Sequence, residues 1–214
     1  VGKHKVTSDN GFDRVASFYD PLSRLVFGNA QRKAQAHWIG RIPPAADLLV
    51  FGGGSGRLLS ALLDACSPRK VIYIDASSKM IELARRRSGS DGRVDFRTGN
   101  EDSIRPSDRV DVILTPFVLD LFSEKRLTVS ILPKLYRALS PGGLWLGTDF
   151  VPTNHLGHSA LLKAMYLFFR FTSHIEAHRL PDWKSLMENE LGLHRERSAG
   201  YFGGMIETGI WRKD

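Results

Sequence analysis

At 214 residues, with 42% hydrophobic and 25% charged side chains, the chain has the ordinary make-up of one globular domain with a substantial core. Its one cysteine, Cys66, excludes an internal disulfide and suits a reducing cytoplasm. The net charge of +7 is spread thinly, and its one basic run, Arg85-Arg86-Arg87, falls near a predicted helix end where cations suit the dipole, so no nucleic-acid partner is expected.

Residues 11–40 read as helical, with a break at Pro21. In the second helix Leu22, Leu25, Val26, Asn29 and Lys33 fall on related faces, so only its first turns are strongly apolar. Pro43-Pro44 closes this segment. An apolar strand follows, Leu48-Leu49-Val50-Phe51, then a glycine turn, Gly52-Gly53-Gly54-Ser55-Gly56, and a helix from Arg57 to Ala65. The second strand, Val71-Ile72-Tyr73-Ile74, ends on Asp75. Glycine suits such a turn because it accepts φ values that a Cβ disfavours, and it leaves bare backbone for a ligand. The helix behind presents unpaired N–H groups. Asp75 stands 19 residues after Gly56, where an acid at a second strand end can meet a ribose.

After Asp75, Ala76 to Ala84 reads as a helix that Ser77 or Ser78 can cap. Val94 to Arg97 is a short third strand running into Gly99-Asn100-Glu101-Asp102. Asp111 to Leu114 is the fourth, followed by Thr115-Pro116-Phe117 and Val118 to Phe122. A helix from about Glu124 to Leu139 leads through Ser140-Pro141-Gly142-Gly143 to a fifth strand, Leu144 to Phe150. Beyond Val151 a helix over His155–Thr172 carries Leu161, Leu162, Met165, Leu167, Phe168, Phe169 and Phe171, enough to require cover or to line a pocket. Pro181 to Glu190 is a second short helix, and strands at Leu193–Ser198 and Met205–Arg212 close the chain. The longest apolar run, Ala164 to Phe169, stops at Arg170, well short of a membrane span, and no signal-peptide pattern is visible. A cytoplasmic protein is expected, with peripheral membrane contact left open.

The G-x-G-x-G turn with its acid on the second strand resembles the class I S-adenosylmethionine-dependent methyltransferases. A dehydrogenase usually has its last glycine one residue later, where this chain has Arg57, so a nicotinamide-dependent oxidoreductase is the weaker alternative. Phe12-Asp13-Arg14-Val15-Ala16-Ser17-Phe18-Tyr19-Asp20, with Leu25-Val26-Phe27-Gly28, is similar to the opening of the ubiquinone and menaquinone C-methyltransferases. The D-x-S-x-x-M pattern of Asp75 to Met80 and the L-x-P-G-G turn at Leu139 recur in that group.

The resemblance implies a Rossmann-like α/β fold, a seven-stranded mostly parallel sheet with helices on both faces and an antiparallel C-terminal strand pair. It implies one domain: a helical cap at 1–44, a cofactor-binding core at 45–150, and substrate-side helices with a C-terminal hairpin at 151–214. S-adenosyl-L-methionine is the implied cofactor, with no metal. Gly52, Gly53, Gly54 and Gly56 would cradle it, Asp75 and Ala76 would lie at the ribose, and Tyr19 would approach the methionine end. Met80 would pack on the adenine, or simply serve the core. The family usually has Gly-Asp where this chain has Gly99-Asn100; an amide can accept from the adenine amino group and donate to a ring nitrogen. Glu101 or Asp102 could substitute, or cap a helix. Thr115, Pro116 and Phe117 would face donor and acceptor, the carboxyl ends of parallel strands being where ligands gather. They lack the first acceptor amide or acid of the N/D-P-P-Y/F motif, which counts against base methylation. The acceptor implied is a small aromatic or lipophilic molecule. Where it needs a base, Asp120, His155 and His158 are candidates. One departure stands out: two residues before Gly52 the family commonly has an acid for the donor's amino group, and this chain has Val50. A cofactor-binding regulatory module without catalysis is therefore a second reading.

Overall fold

The computed structural model describes residues 26–89, 91–153, 155, 157–162, 164–165 and 179–214. Tyr19, with the rest of the expected cap up to residue 25, and the expected helix beyond residue 165 lie outside these. The described elements begin with helix α1 (Ala30–Ala36), then β1 (Asp47–Phe51), α2 (Arg57–Cys66), β2 (Lys70–Asp75), α3 (Ser78–Arg87), β3 (Val94–Thr98) and β4 (Val110–Pro116). Next come α4 (Glu124–Arg126), α5 (Leu132–Ala138), β5 (Leu139–Phe150), α6 (Trp183–Ser185), β6 (His194–Tyr201) and β7 (Ile206–Arg212). The strands form one seven-stranded sheet in the order β3-β2-β1-β4-β5-β7-β6. β1 to β5 run parallel, while β7 pairs antiparallel with both β5 and β6.

The central strands are apolar throughout because they are covered on both faces. One face carries Leu48, Val50, Val71, Tyr73, Val112, Leu114, Leu144 and Leu146 against Leu58, Leu59, Leu62 and Leu63 of α2. The opposite face carries Leu49, Phe51, Ile72, Ile74, Ile113 and Trp145 against Leu132 and Leu135 of α5 and the indoles of Trp183 and Trp211. Each of those buried indoles has an acceptor for its N–H: Thr115 Oγ1 for Trp145 at 3.0 Å, the Phe150 carbonyl for Trp183 at 3.1 Å, and Glu188 Oε1 for Trp211 at 3.0 Å. A third, smaller cluster gathers Phe27, Ala34, Phe150, Leu162, Met205 and Ile206, with Phe117, Leu161, Met165 and Phe202 packed against it.

Three local expectations are corrected. The helix read through Val26, Asn29 and Lys33 is interrupted, since Gly28 takes φ +57° and Asn29 stands before the first turn of α1. The helix read over 124–139 is not regular: α4 and α5 are joined by a π turn at Leu127–Ile131. Pro133, one residue inside α5, has no N–H for the regular ladder, and a widened turn before it absorbs the missing bond. The fifth strand begins at Leu139 rather than after the glycines, with Gly142 at φ +74° and a register shift between Val110 and Val112 of β4. The Arg85-Arg86-Arg87 run is dispersed: Arg85 lies over the Phe96 ring, Arg86 pairs with Glu82, and Arg87 reaches Ser55. Among the described residues no helix is long and apolar enough to cross a membrane.

Candidate active site

The strand order reverses between β1 and β4, and such a switch point opens a crevice at the carboxyl ends of the strands. The glycine turn lies there. Gly52, Gly54 and Gly56 hold φ of +72°, +64° and +85°, a region that costs an L-residue with a side chain roughly 1–2 kcal/mol. Space is as restrictive as torsion. A Cβ on Gly52 would come within 2.4 Å of Val118, and one on Gly53 within 2.2 Å of the Tyr73 ring. Above Gly54, by contrast, a Cβ would meet nothing within 4 Å. No side chain caps the start of α2 at Gly56. Bare backbone with room above it, at an uncapped helix start, suits a polar ligand laid along the turn.

Asp75 locks this turn to the second strand. Its Oδ2 accepts from the Gly54 N–H at 2.7 Å, and its Oδ1 accepts from the Ser77 N–H at 2.9 Å. A carboxylate oxygen can accept more than one hydrogen bond, so a ribose diol can donate to Asp75 alongside these amides. The Tyr73 hydroxyl donates to the Gly54 carbonyl at 3.1 Å, and Arg87 donates to the Ser55 carbonyl and hydroxyl at 2.5 and 2.8 Å. Ser77 is the cap of α3, its hydroxyl accepting from Met80 N–H at 3.2 Å, which leaves Ala76 exposed and Met80 buried.

On the far side of β2, Asn100 caps a short 3₁₀ turn, its amide oxygen accepting from the Asp102 N–H at 2.9 Å. Glu101 is turned inward and taken up by Arg126 at 2.9 Å and by the Ser130 hydroxyl at 2.8 Å. Burial pushes its carboxyl up, but the Arg126 hydrogen bond and charge, its own backbone N–H and Ser130 outweigh this and hold it below the usual range. Its carboxylate is thus spent on α4 and the π turn. Asp102 is exposed and pairs with Lys134.

The loop after β4 forms the other wall. Thr115 is fully buried and turned into the core as the acceptor of the Trp145 indole, so its side chain is not on the crevice. Pro116 is buried as well. Phe117 is half-buried, holds φ +53°, and donates its N–H to the Thr148 carbonyl at 2.7 Å. Such a torsion costs about 1–3 kcal/mol and persists only where the surroundings enforce it. Its ring packs on Phe150 at 5.1 Å, and Phe150 packs on Phe27 at 5.4 Å. Asp120 is buried in the next turn and hydrogen-bonded to Asp149, a fully buried acid at the end of β5. Burial, then the charge and hydrogen bond of Asp120, raise the Asp149 carboxyl well above its ordinary value, although backbone N–H groups of Phe150 and Asp120 pull the other way. His155 is exposed and stacks on His158 at 4.4 Å, and His158 lies against Phe202 at 5.2 Å.

The fold therefore brings Gly52–Gly56, Asp75 and the 117–120 loop to one crevice and turns Thr115 and Glu101 away from it. Sequence reasoning passed over Tyr73, Val118 and Asp149. Two of them carried a signal: a phenol inside an apolar strand needs a polar partner, and Asp149 is the one acid in an otherwise uncharged β5. Val50 is fully buried in the apolar cluster under α2, so no carboxylate stands at that position.

Residues 48–143 match the model of a methyltransferase domain. The chain is 28% identical over 204 residues to a ubiquinone/menaquinone biosynthesis C-methyltransferase of Methylobacterium nodulans, covering 92% of this chain and 79% of that one. It is 29% identical over 170 residues to a demethylmenaquinone methyltransferase of Thermotoga maritima, covering 78% and 71%. Among solved structures, it is similar to the 1,6-didemethyltoxoflavin-N1-methyltransferase of Burkholderia thailandensis, solved with 1,6-didemethyltoxoflavin and S-adenosylhomocysteine. That likeness has TM-score 0.70 at 17% identity and covers 100% of this chain and 91% of the other. An N-methyltransferase of Bradyrhizobium japonicum, solved with S-adenosylhomocysteine, gives TM-score 0.71 at 14% identity, covering 96% and 98%. At these identities the structures speak to the fold, while the domain match and the sequence relatives speak to the family. The domain match and the sequence relatives support a class I S-adenosylmethionine-dependent methyltransferase similar to the ubiquinone/menaquinone C-methyltransferases, and the solved structures agree with it in fold.

Proposed function

We propose that the protein methylates a small aromatic or lipophilic acceptor at the crevice between the glycine turn and the 117–120 loop. One observation carries the reading: Asp75 is joined to the Gly54 and Ser77 amides beside open backbone, at the sheet's switch point. S-adenosylmethionine supplies a methyl group already activated on a positively charged sulfonium. Since that charge is spent as transfer proceeds, the protein's task is to align acceptor and donor and to exclude water. Orientation of that kind can lower a barrier by roughly 7–11 kcal/mol.

In this reading Gly52, Gly53, Gly54 and Gly56 present backbone to the donor, Asp75 takes the ribose hydroxyls with Ala76 beside it, and Asn100 meets the adenine edge. Met80 supports that end from within, and Tyr19 of the cap at 1–44 approaches the methionine end. Pro116 and Phe117 bound the reacting region. Phe117, Phe150, Phe27 and Phe202 form an aromatic wall at the carboxyl edge of the sheet, which favours a flat apolar ring as acceptor. The quinone-directed names of the sequence relatives support the same acceptor class. Asp120 is the candidate base on the loop, with His155 the alternative at the start of the helix beyond β5.

Incubation with labelled donor and a panel of phenols and quinols tests this. Methylated product on a ring acceptor is the expected result. Tight S-adenosylhomocysteine binding with no product on any acceptor would instead support the non-catalytic reading that the buried Val50 raises.

A further inference from the structure

Asp149 makes more polar contacts with the 118–120 loop than any sheet side chain needs for its own burial. Its Oδ2 accepts three consecutive backbone N–H groups, from Val118 at 3.1 Å, Leu119 at 2.9 Å and Asp120 at 3.2 Å. Its Oδ1 accepts from the Phe150 N–H at 2.9 Å. The Asp120 side chain is hydrogen-bonded to it, and both residues are buried. Two carboxyl groups in contact away from water cannot both ionise unless a cation joins them.

Apart from His158, whose buried Nδ1 has no hydrogen-bond partner among the described residues, the charged neighbours among those residues are already engaged. Directly across β7 stands Glu207, paired with Lys184 at 2.8 Å and with Arg195 at 3.5 Å. Arg126, on the helix that follows the loop, is held by Glu101, and Glu124 pairs with Arg179. His158 sits against Phe202 and Gly203. One proton between Asp120 and Asp149 accounts for the contact of the two carboxyl groups, while the other Asp120 oxygen, Oδ1, stays buried with no hydrogen bond among the described residues.

The loop so gathered is the one that seats Val118 on Gly52 and follows the left-handed Phe117. We propose that Asp149 is a positioning residue of the methyl-transfer site: the proton shared with Asp120 keeps the 118–120 amides on one oxygen, and so keeps Val118 against the glycine turn. This deepens the function proposed above and uses the same crevice. Raising the pH removes the shared proton, sets two charges against each other and loosens the loop; the donor turn then loses its wall.

Amide hydrogen exchange without ligand reads this directly, with wild type, Asp149→Asn and Asp149→Ala compared across a pH series rising from the ordinary carboxylate range to the alkaline limit of the folded protein, after correction for intrinsic rates. In the wild type, protection at Val118, Leu119 and Asp120 should fall by about tenfold or more along the series, relative to Val112 and Leu114 of β4. Asp149→Asn, whose amide oxygen still accepts the three N–H groups, should keep protection throughout. Asp149→Ala should lack it throughout. S-adenosylhomocysteine titration should follow, with affinity down about tenfold in Asp149→Ala and within about threefold of wild type in Asp149→Asn. Wild-type protection indifferent to pH, or Asp149→Ala with native loop protection and native affinity, overturns the assignment. Failure of the wild type to bind S-adenosylhomocysteine would count against the proposed function, while the ligand-free exchange still decides the role of Asp149.

Discussion

The turn at 52–56 and the loop at 117–120 meet where Gly52 touches Val118, yet they are built from different materials. The turn and its partners Tyr73, Asp75, Ser77 and Arg87 fall within about one β-α-β-α length of chain, and short-range hydrogen bonds shape it. The loop is shaped from a distance: Asp149 gathers its amides from across 29 to 31 residues, Thr148 holds Phe117, and the ring of Phe27 arrives from the other end of the chain. A donor common to a whole family can be met by a compact local motif. An acceptor particular to one protein has to be met by residues that only the finished fold assembles.

Four measurements press on this contrast. The largest effect is expected where the two regions touch. Gly52→Ala adds a strained left-handed torsion and a clash with Val118, and should cost about 3 kcal/mol in urea denaturation. A loss below about 1 kcal/mol would mean that loop and turn part freely. Next is the donor side itself: Asp75→Ala should weaken S-adenosylhomocysteine binding by about 1.5–3 kcal/mol for each charged hydrogen bond lost, read by calorimetry. An unchanged dissociation constant would place the nucleoside elsewhere.

The third measurement concerns the distant side. Asp149 has its folded carboxyl raised above its ordinary value of 3.8, by burial first and by Asp120 second. An acid of this kind favours folding only while protonated. Its contribution is complete below the ordinary value and is lost as the pH climbs from there toward the raised value. Over that window wild-type stability should decline by up to about 1.4 kcal/mol per pH unit on this account, and Asp149→Asn should lack the decline. Denaturation of both proteins across the window checks it; parallel curves would mean that the buried carboxyl is already charged in the fold. The smallest effect should come from Tyr73→Phe, which removes one hydrogen bond to Gly54 and keeps the packing on Phe96, for about 1 kcal/mol of stability. A null result there would leave Asp75 alone as the brace of the turn.

By itself the sequence determined what depends on near neighbours. Apolar runs marked β1, β2 and β4 because a parallel strand covered on both faces has no polar side to show. The glycines marked a turn because φ is a property of one residue, and the serine pair Ser77-Ser78 marked the cap of α3, which Ser77 makes, because a cap's partner is three residues away. Tertiary structure decided whatever depends on facing. Thr115 was expected on the crevice and is turned inward because the Trp145 indole, on β5 opposite Ile113 and so diagonal to it, needs an acceptor. Glu101 is drawn to Arg126, 25 residues on. Asp149 shows no role until β5 lies beside β4, since hydrogen bonds and charges act through space at a few ångströms, whereas the chain records only order.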